Sequence, residues 1–426
     1  MARKMKDSGI EWIGEIPEGW EISKVSYFYE VQLGKMLQPQ KKSETDTEEK
    51  YLCAANVGKN SLSLDTLKTM WFSQTEKHQF DLKEGDLLVV EGGDVASCAI
   101  IETPVRNLFF QNALHRVRPL HNESVAFLRY WLMTAKSYGY IDLICNKATI
   151  AHFSKEKFIA LPIPVIPQDI QSKIVSFLDL ECKQIDDLLS KSRSSIEEYK
   201  KLKQSVITQA VTKTIYDDFR NPSKFRKLRS LCDVLSKGTT PKDIETQNDE
   251  FYCIRYLKSE NIVSNQLNLN PTFFITAETN NSLERSKLNS GDILFVIAGA
   301  SIGKVAITTA DFLPANTNQA VAFIRLSSSY QYATKYIWYF LQSDVVKQLI
   351  ALSAVQSAQP NLSLEDLGAM RLPLPDQMGC LKITDYLDAK CAKIDRLIAK
   401  KEQLVKELES YKKSLIYEVV TGKREV

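Results

Sequence analysis

The chain is written twice. Gly85-Asp86-Leu87-Leu88-Val89-Val90 recurs as Gly291-Asp292-Ile293-Leu294-Phe295-Val296, 206 positions later. Arg116-Val117-Arg118 matches Phe323-Ile324-Arg325, and Tyr130-Trp131-Leu132 matches Ile337-Trp338-Tyr339, both at 207. Leu161-Pro162-Ile163-Pro164 returns as Leu372-Pro373-Leu374-Pro375 at 211. Phe177-Leu178-Asp179, Ile185-Asp186 and Ser205-Val206-Ile207 return at 209, as Tyr386-Leu387-Asp388, Ile394-Asp395 and Ser414-Leu415-Ile416. A period near 207 is far too long for a solenoid repeat. Ordered blocks with a slowly drifting offset specify two tandem copies of one domain, each followed by a long segment.

Within each copy the texture changes once. Residues 19–165 and 222–374 carry short β-branched runs that end at turn signals such as Gly85-Asp86 and Gly291-Asp292. A helical stretch, Ser124 to Tyr138, and its counterpart, Ser329 to Leu352, interrupt them. The pattern predicts an α+β fold with strands dominating. The expected segments are an N-terminal piece 1–18, a globular domain 19–167, a spacer helix 168–214, a second globular domain 215–375 and a second spacer helix 376–426.

The long segments carry a heptad seam. Leu178, Ile185, Ser192, Tyr199 and Val206 fall at a, and Cys182, Leu189, Ile196, Lys203 and Ala210 at d. The second copy places Leu387, Ile394, Lys401, Leu408 and Leu415 at a, and Cys391, Ile398, Val405, Lys412 and Val419 at d. The same two places are polar in both, so the interruptions belong to the design. A 3.5-residue seam predicts coiled-coil helices of roughly 40 residues, about 60 Å long. Antiparallel pairing of the two would give an internal pseudo-two-fold. Asp169 and Asp376 suit helix starts, and Gly422 a helix terminator.

Composition excludes several classes. The 426 residues are 44% hydrophobic and 25% charged, with a net charge of only +3. That mix describes a soluble globular chain, and any basic face must be local. No apolar stretch follows the N-terminal charges and no run is long enough to span a bilayer, so a cytoplasmic location without membrane partners is expected. Eight cysteines without a C-x-x-C pair, and four histidines, argue against disulfide or zinc scaffolds.

Catalytic motifs fail one by one. Gly299-Ala300-Ser301-Ile302-Gly303-Lys304-Val305 has three residues between its glycines and no Ser or Thr after the lysine. A phosphate loop needs four residues and that hydroxyl, so a strand-to-strand turn is expected. Asn221-Pro222-Ser223-Lys224 and Asn270-Pro271-Thr272-Phe273 lack the second proline of an adenine-methyltransferase motif. His78, His115, His121 and His152 all lie in the first copy. Cys182 and Cys391 sit on the seam, as small buried hydrophobes. The chain reads as a non-catalytic binder, with no cofactor or metal of its own.

The opening Asp7-Ser8-Gly9-Ile10-Glu11-Trp12-Ile13-Gly14-Glu15-Ile16-Pro17-Glu18-Gly19-Trp20 resembles the start of specificity subunits of type I restriction–modification systems. Leu161-Pro162-Ile163-Pro164-Val165-Ile166-Pro167-Gln168, running on through Ile174, Phe177-Leu178-Asp179 and Ile185-Asp186, is similar to that family's Pro-rich entry to its helical region. Arg371-Leu372-Pro373-Leu374-Pro375-Asp376-Gln377 repeats it. The family's usual Pro-Glu-Gln is Pro-Gln in the first copy and Pro-Asp-Gln in the second. The resemblance covers essentially the whole chain. It implies a DNA-reading subunit with two target-recognition domains, each reading half of a split double-stranded site. It also implies two adenine-methylating subunits and restriction subunits as partners, which would carry S-adenosylmethionine, ATP and Mg.

Affinity for DNA comes from cations on phosphates, and specificity from base edges. Residues shared by both copies suit scaffold or phosphate roles; differing residues suit base readout. Gln111-Asn112 and Asn318-Gln319 are amides of the type that bond adenine, yet they recur, so a structural role competes. Asn56 and Asn261 carry the same ambiguity. Basic candidates are Lys35, Lys41, Lys42 and Lys59 in the first copy, and Lys237, Lys242, Arg255, Lys258 and Lys304 in the second. Lys35 beside Gly34 mirrors Lys237 beside Gly238. The run Lys224 to Arg229 is the densest basic patch. A coiled-coil adaptor binding proteins at its globular ends is the alternative.

Overall fold

The computed structural model describes residues 3–58, 61–145, 151–218, 225–242, 244–249, 251–354 and 361–426. They fall into two compact units, residues 1–192 with 404–426, and residues 193–403. Each unit holds one globular copy and a stretch of both long helices, so the units cut across the five expected segments.

In the first unit a four-stranded antiparallel sheet runs in the order Tyr29–Leu33, Leu114–Pro119, Leu87–Val90, Cys98–Ile100. A three-stranded sheet, Lys68–Phe72, Thr47–Leu52 and Leu108–Phe110, lies beyond it, its last pair parallel. Glu21–Lys24 and Pro162–Val165 form a separate antiparallel ribbon. The second unit repeats this strand for strand. Its four-stranded sheet is Cys232–Lys237, Val321–Leu326, Ile293–Val296, Val305–Ile307. Its three-stranded sheet is Phe274–Thr276, Tyr252–Leu257, Ala315–Thr317, and its ribbon Phe225–Lys227 with Arg371–Pro373.

The repeated apolar runs are continuous because they are buried on both faces. Leu87 and Val89 join a core with Trp131, Leu178 and Cys182, whereas Leu88 and Val90 join one with Phe72 and Phe110. Ile293 and Phe295 face Tyr336 and Leu387 in the same way, and Leu294 and Val296 face Leu257 and Ile262. Side chains alternate across a strand, so a run of four apolar residues feeds both cores. The Gly-Asp turns before these strands are anchored by buried carboxylates. Asp86 accepts from the Lys83 amide at 2.8 Å and takes Arg118 through Nε at 2.5 Å and Nη2 at 2.8 Å. Asp292 accepts from the Asn289 amide at 2.7 Å and takes Arg325 at 2.8 and 2.7 Å. These bonds to Asp292 hold the Arg325 guanidinium above its usual range.

The long helices span Gln168–Asp218 and Gln377–Val420, 51 and 44 residues, longer than the roughly 40 expected. Asp376 caps the second, accepting the Gly379 amide at 2.8 Å. Gly422, at φ 73°, follows its last turn, and an added Cβ there would lie 2.5 Å from Pro17 Cγ. The N-terminal segment packs on this end: Tyr417 Oη and Lys423 Nζ donate to the Ile13 carbonyl at 2.9 and 3.0 Å.

Seven-residue periodicity translates into burial along the seam. Leu178, Ile185, Leu189 and Ile196 are buried, as are Leu387 and Ile394, while Ile398 and Leu408 are half-buried. Cys182 and Cys391 are buried too, and desolvation pushes both thiols up, away from the thiolate. In the first unit Lys412 Nζ reaches Asp186 Oδ1 and Oδ2 at 2.6 and 2.7 Å, and the Arg424 guanidinium lies over the Phe177 ring, so the segments run antiparallel. In the second unit Lys203 Nζ reaches Asp395 at 2.8 and 2.7 Å. The polar d positions are thus lysines paired with the aspartates of the Ile-Asp blocks, with the roles of the two helices exchanged. Both carboxylates are about half exposed, which limits each pair to roughly 0.5 kcal/mol. Asp395→Lys is expected to lower the melting temperature slightly, more so in low salt, and Lys203→Asp added to it to restore the loss.

Two expectations change. Ser124 caps a helix at Val125–Ser137, but its counterpart breaks into Thr334–Leu341 and Asp344–Ala354. The break is satisfied from the first long helix: Gln204 Nε2 donates to the Gln342 carbonyl at 2.7 Å, and Thr208 Oγ1 accepts the Asp344 amide at 3.0 Å. The tryptophan block is also misregistered by two. Tyr130 Oη donates to Asp179 at 2.6 Å and Tyr339 Oη to Asp388 at 2.8 Å, so Tyr130 pairs with Tyr339 at the offset of the aspartates. Trp131 therefore corresponds to Phe340, and Trp338 to Arg129. The Trp131 indole donates to the Pro162 carbonyl, a bond supplied in the second unit by Tyr336 to Pro373.

Candidate nucleic-acid interface

In each unit two segments meet at one backbone crossing. Gly34 donates to the Leu114 carbonyl and Lys35 to that of Phe110, at 3.0 and 3.1 Å. Gly238 donates to Val321 and Thr239 to Thr317, at 3.3 and 3.1 Å. A Cβ on Gly34 would lie 2.3 Å from the Gln111 carbonyl oxygen, and one on Gly238 1.8 Å from that of Thr317. Only glycine permits this approach. The crossing aligns Gly34-Lys35 with Gly238-Thr239, so Lys35 and Lys237 are not counterparts.

Lys35 is corrected as a phosphate ligand. It is 5% exposed, donates to Gln38 Oε1 at 2.8 Å, pairs with Glu76 and lies 5.3 Å from the Phe72 ring centroid. Asn56 and Asn261 are corrected as base readers. Asn56 Oδ1 accepts the Cys53 amide at 3.0 Å and its Nδ2 donates to the carbonyls of Ser63 and Thr66 at 3.0 and 3.4 Å. Asn261 repeats this with the Lys258 amide and the carbonyls of Asn268 and Pro271, at 2.9, 2.9 and 2.7 Å. Both are buried, and each clamps the base of a short hairpin. Their recurrence reports scaffold.

The amide turns stay available. Leu114 bonds the Gln111 carbonyl and Val321 that of Asn318, closing equivalent turns at 2.9 and 3.2 Å. Gln111, Asn112 and Asn318 are half-buried and Gln319 is exposed. Asn318 Oδ1 is a buried acceptor without a hydrogen-bond partner. Lys41, Lys42, Lys237, Lys242 and Lys304 are exposed; Lys41 lies 5.7 Å from the Trp71 ring. Lys258 sits 3.5 Å over Phe273, and Arg255 donates to the Asp311 carbonyl at 2.5 Å, so both are partly engaged. Lys59 lies outside the described residues, as does Lys224. Of the rest of that run Arg226, Lys227 and Arg229 are exposed, the first two in the ribbon, while Phe225 is half-buried and Leu228 buried.

The glycine loop before Lys304 is a turn between strands. The amides of Ile302, Gly303 and Lys304 bond the carbonyls of Gly299, Val296 and Ser301, so they are spent internally rather than aimed at a phosphate. His115 is fully buried, donates from Nε2 to the Phe153 carbonyl at 2.7 Å, and desolvation lowers its basicity. Among the described residues no cluster of His, Cys, Asp or Glu has the make-up of a metal site, and no helix is long and apolar enough to cross a membrane. One feature of the loops carries no sequence pattern: Met36 and Leu37, just past the crossing, are 75% and 53% exposed.

The repeated framework has a match among known families. The family model for the type I restriction modification DNA specificity domain matches residues 17–198 and again 221–407. The chain belongs to this family. As a specificity-domain protein it is 26% identical to the EcoBI specificity subunit of Escherichia coli over 268 residues, 56% of this chain and 53% of that protein. The match thus spans about half of that relative. It is 21% identical to the MjaVIII specificity subunit of Methanocaldococcus jannaschii over 432 residues, 96% of this chain and 93% of that one. Two solved structures share the fold. One, from a study of complex assembly and conformational transition in a type I R-M system, aligns with a TM-score of 0.71 at 13% identity, covering 95% of this chain and 98% of its own. The HsdS subunit from Thermoanaerobacter tengcongensis aligns with a TM-score of 0.53 at 14% identity, covering 96% and 98%.

Proposed function

We propose that the chain is the DNA-reading subunit of a type I restriction–modification complex, and that each unit reads one half of a split site. The observation that carries this reading is the matched crossing in the two units. It holds an amide turn and a basic loop in the same local arrangement, with different side chains at matching places. Gln111-Asn112 in the first unit stand where the second has Asn318-Gln319, and Lys41 and Lys42 on the first loop have Lys242 as the basic residue of the second. A common frame with divergent readers is what two unlike half-sites require.

The exposed lysines 41, 42, 237, 242 and 304 supply phosphate contacts, and Gln111, Asn112, Asn318 and Gln319 base contacts. Arg255 and Lys258 stand beside them with part of their capacity already used. The orphaned Asn318 Oδ1 is an acceptor suited to an exocyclic amine. The globular domains 19–167 and 215–375 act as target-recognition domains, and the helices 168–214 and 376–426 as spacer and docking surface for two methyltransferase subunits and for restriction subunits. S-adenosylmethionine, ATP and Mg belong to those partners, in the cytoplasm, and this chain contributes no catalytic group.

The test is binding of the assembled complex to its own site across a salt series. Affinity should fall steeply as salt rises, and the slope should drop by about 1 when Lys237 or Lys242 is replaced by alanine. A salt-independent association, or none, would sink the reading and favour a protein-binding adaptor.

A further inference from the structure

We propose that Met36 and Leu37 form an apolar wedge that enters the base stack of the half-site read by the first unit. The inference rests on the DNA-reading role proposed above and names one physical act within it. Two adjacent large apolar side chains stand in solvent at 75% and 53% exposure, between the buried polar residues Lys35 and Gln38. Lys35, Gln38 and Asp46 are 5%, 7% and 6% exposed. That is the reverse of an ordinary surface loop, where the apolar pair would turn inward and the polar residues outward.

The inversion is held in place by a closed network. Lys35 Nζ bonds Gln38 Oε1 at 2.8 Å and Glu76, and Gln38 Nε2 bonds Asp46 Oδ2 at 3.3 Å. The same oxygen accepts the Lys42 and Ser43 amides, each at 3.1 Å. The Gln38 carbonyl accepts the Trp71 amide at 3.1 Å, tying the loop to the three-stranded sheet. Ordering cost is thus met before any ligand arrives, as a penetrating element requires.

The surroundings select nucleic acid as the occupant. The Lys35 carbonyl accepts the Asn112 amide at 2.9 Å, which sets the Gln111-Asn112 turn one residue from Met36. Exposed Lys41 and Lys42 follow on the same loop, with Glu44 the one exposed acid among them. Amides for base edges, cations for phosphates and a Met-Leu tip are the parts of a side-chain wedge that unstacks a step and bends the duplex. The second unit carries Thr240-Pro241 at this distance from its crossing glycine, so the act belongs to one half-site only.

The experiment uses the assembled complex and a duplex containing its own site, with 2-aminopurine placed in turn at each step of both half-sites. Wild type should raise the fluorescence several-fold at one step of the first half-site, in addition to any rise at a flipped adenine. Met36→Ala with Leu37→Ala should remove that rise and weaken binding about tenfold, and a mismatch at the same step should restore most of the affinity. Leu37→Met alone should keep the signal. An unchanged rise in the double variant overturns the wedge, and so does a loss of affinity equal on matched and mismatched duplexes. Loss of a partner subunit with DNA binding intact would assign the pair to a protein interface instead. A wild-type complex that binds no duplex specifically would fail the DNA-reading role itself, a result distinct from all of these.

Discussion

Gly238→Ala is expected to destabilise the second unit by about 3 kcal/mol or more, a large fraction of the roughly 5–15 kcal/mol that holds a domain folded. The added methyl would lie 1.8 Å from the Thr317 carbonyl oxygen and 2.6 Å from that of Asn318. Both neighbours are backbone, so no side-chain rotation relieves the clash. The strand Ala315–Thr317 is fully buried and bonded in parallel to Tyr252–Leu257, and therefore cannot retreat. The crossing must open, and with it goes the placement of Asn318 and Gln319. A chemical-denaturation series that separates the two units should show the second unfolding early and the first unchanged. Gly34→Ala should reverse that assignment, with a smaller loss, since its nearest backbone atom is 2.3 Å away.

Arg325→Ala should cost about 3 kcal/mol, because it strands a charge. Asp292 is 1% exposed as a side chain and meets the guanidinium through two parallel bonds. Removing the arginine leaves a buried carboxylate with, among the described residues, only the Asn289 amide for compensation. Arg325→Lys should recover only part of the loss, since an ammonium cannot make both bonds of the fork. Replacing both partners, Arg325→Met with Asp292→Asn, should be far milder than Arg325→Ala, because no charge is then left without a partner. The measurement is the denaturation midpoint of each variant, compared at constant slope.

The parts of this fold legible in the sequence are those encoded by local pattern. Repeated blocks such as Gly85-Asp86-Leu87 and Gly291-Asp292-Ile293 announce two copies, and the 3.5-residue seam announces the helices. The meaning of the polar seam positions was half visible. Their recurrence marked Lys203 and Lys412 as deliberate, but their partners Asp395 and Asp186 lie about 200 residues away, beyond any periodicity. Lys35 shows the same limit, since its burial depends on Glu76, 41 positions on. The tryptophan block slipped by two because Trp131 and Trp338 match in type, while the true register follows the hydrogen bonds of Tyr130 and Tyr339.

At the candidate interface, residues that recur between the copies include scaffold as well as candidate readers. Asn56 and Asn261 recur because one fold needs the same hairpin clamp twice, and the structure shows the bonds that clamp makes. Met36 and Leu37 escaped because an exposed apolar pair has no sequence signature; its meaning comes from the buried polar residues on either side.

Under the proposed function two matched frames read two different halves of one site. Its most direct test is to co-express the chain with its methyltransferase subunit and map methylated adenines across host DNA. The same mapping is then repeated with residues 19–165 exchanged for another recognition domain. A split motif is expected, of which one half changes on exchange while the other half persists. Methylation scattered without a motif from an assembled complex, or a motif changed in both halves by the single exchange, would contradict it.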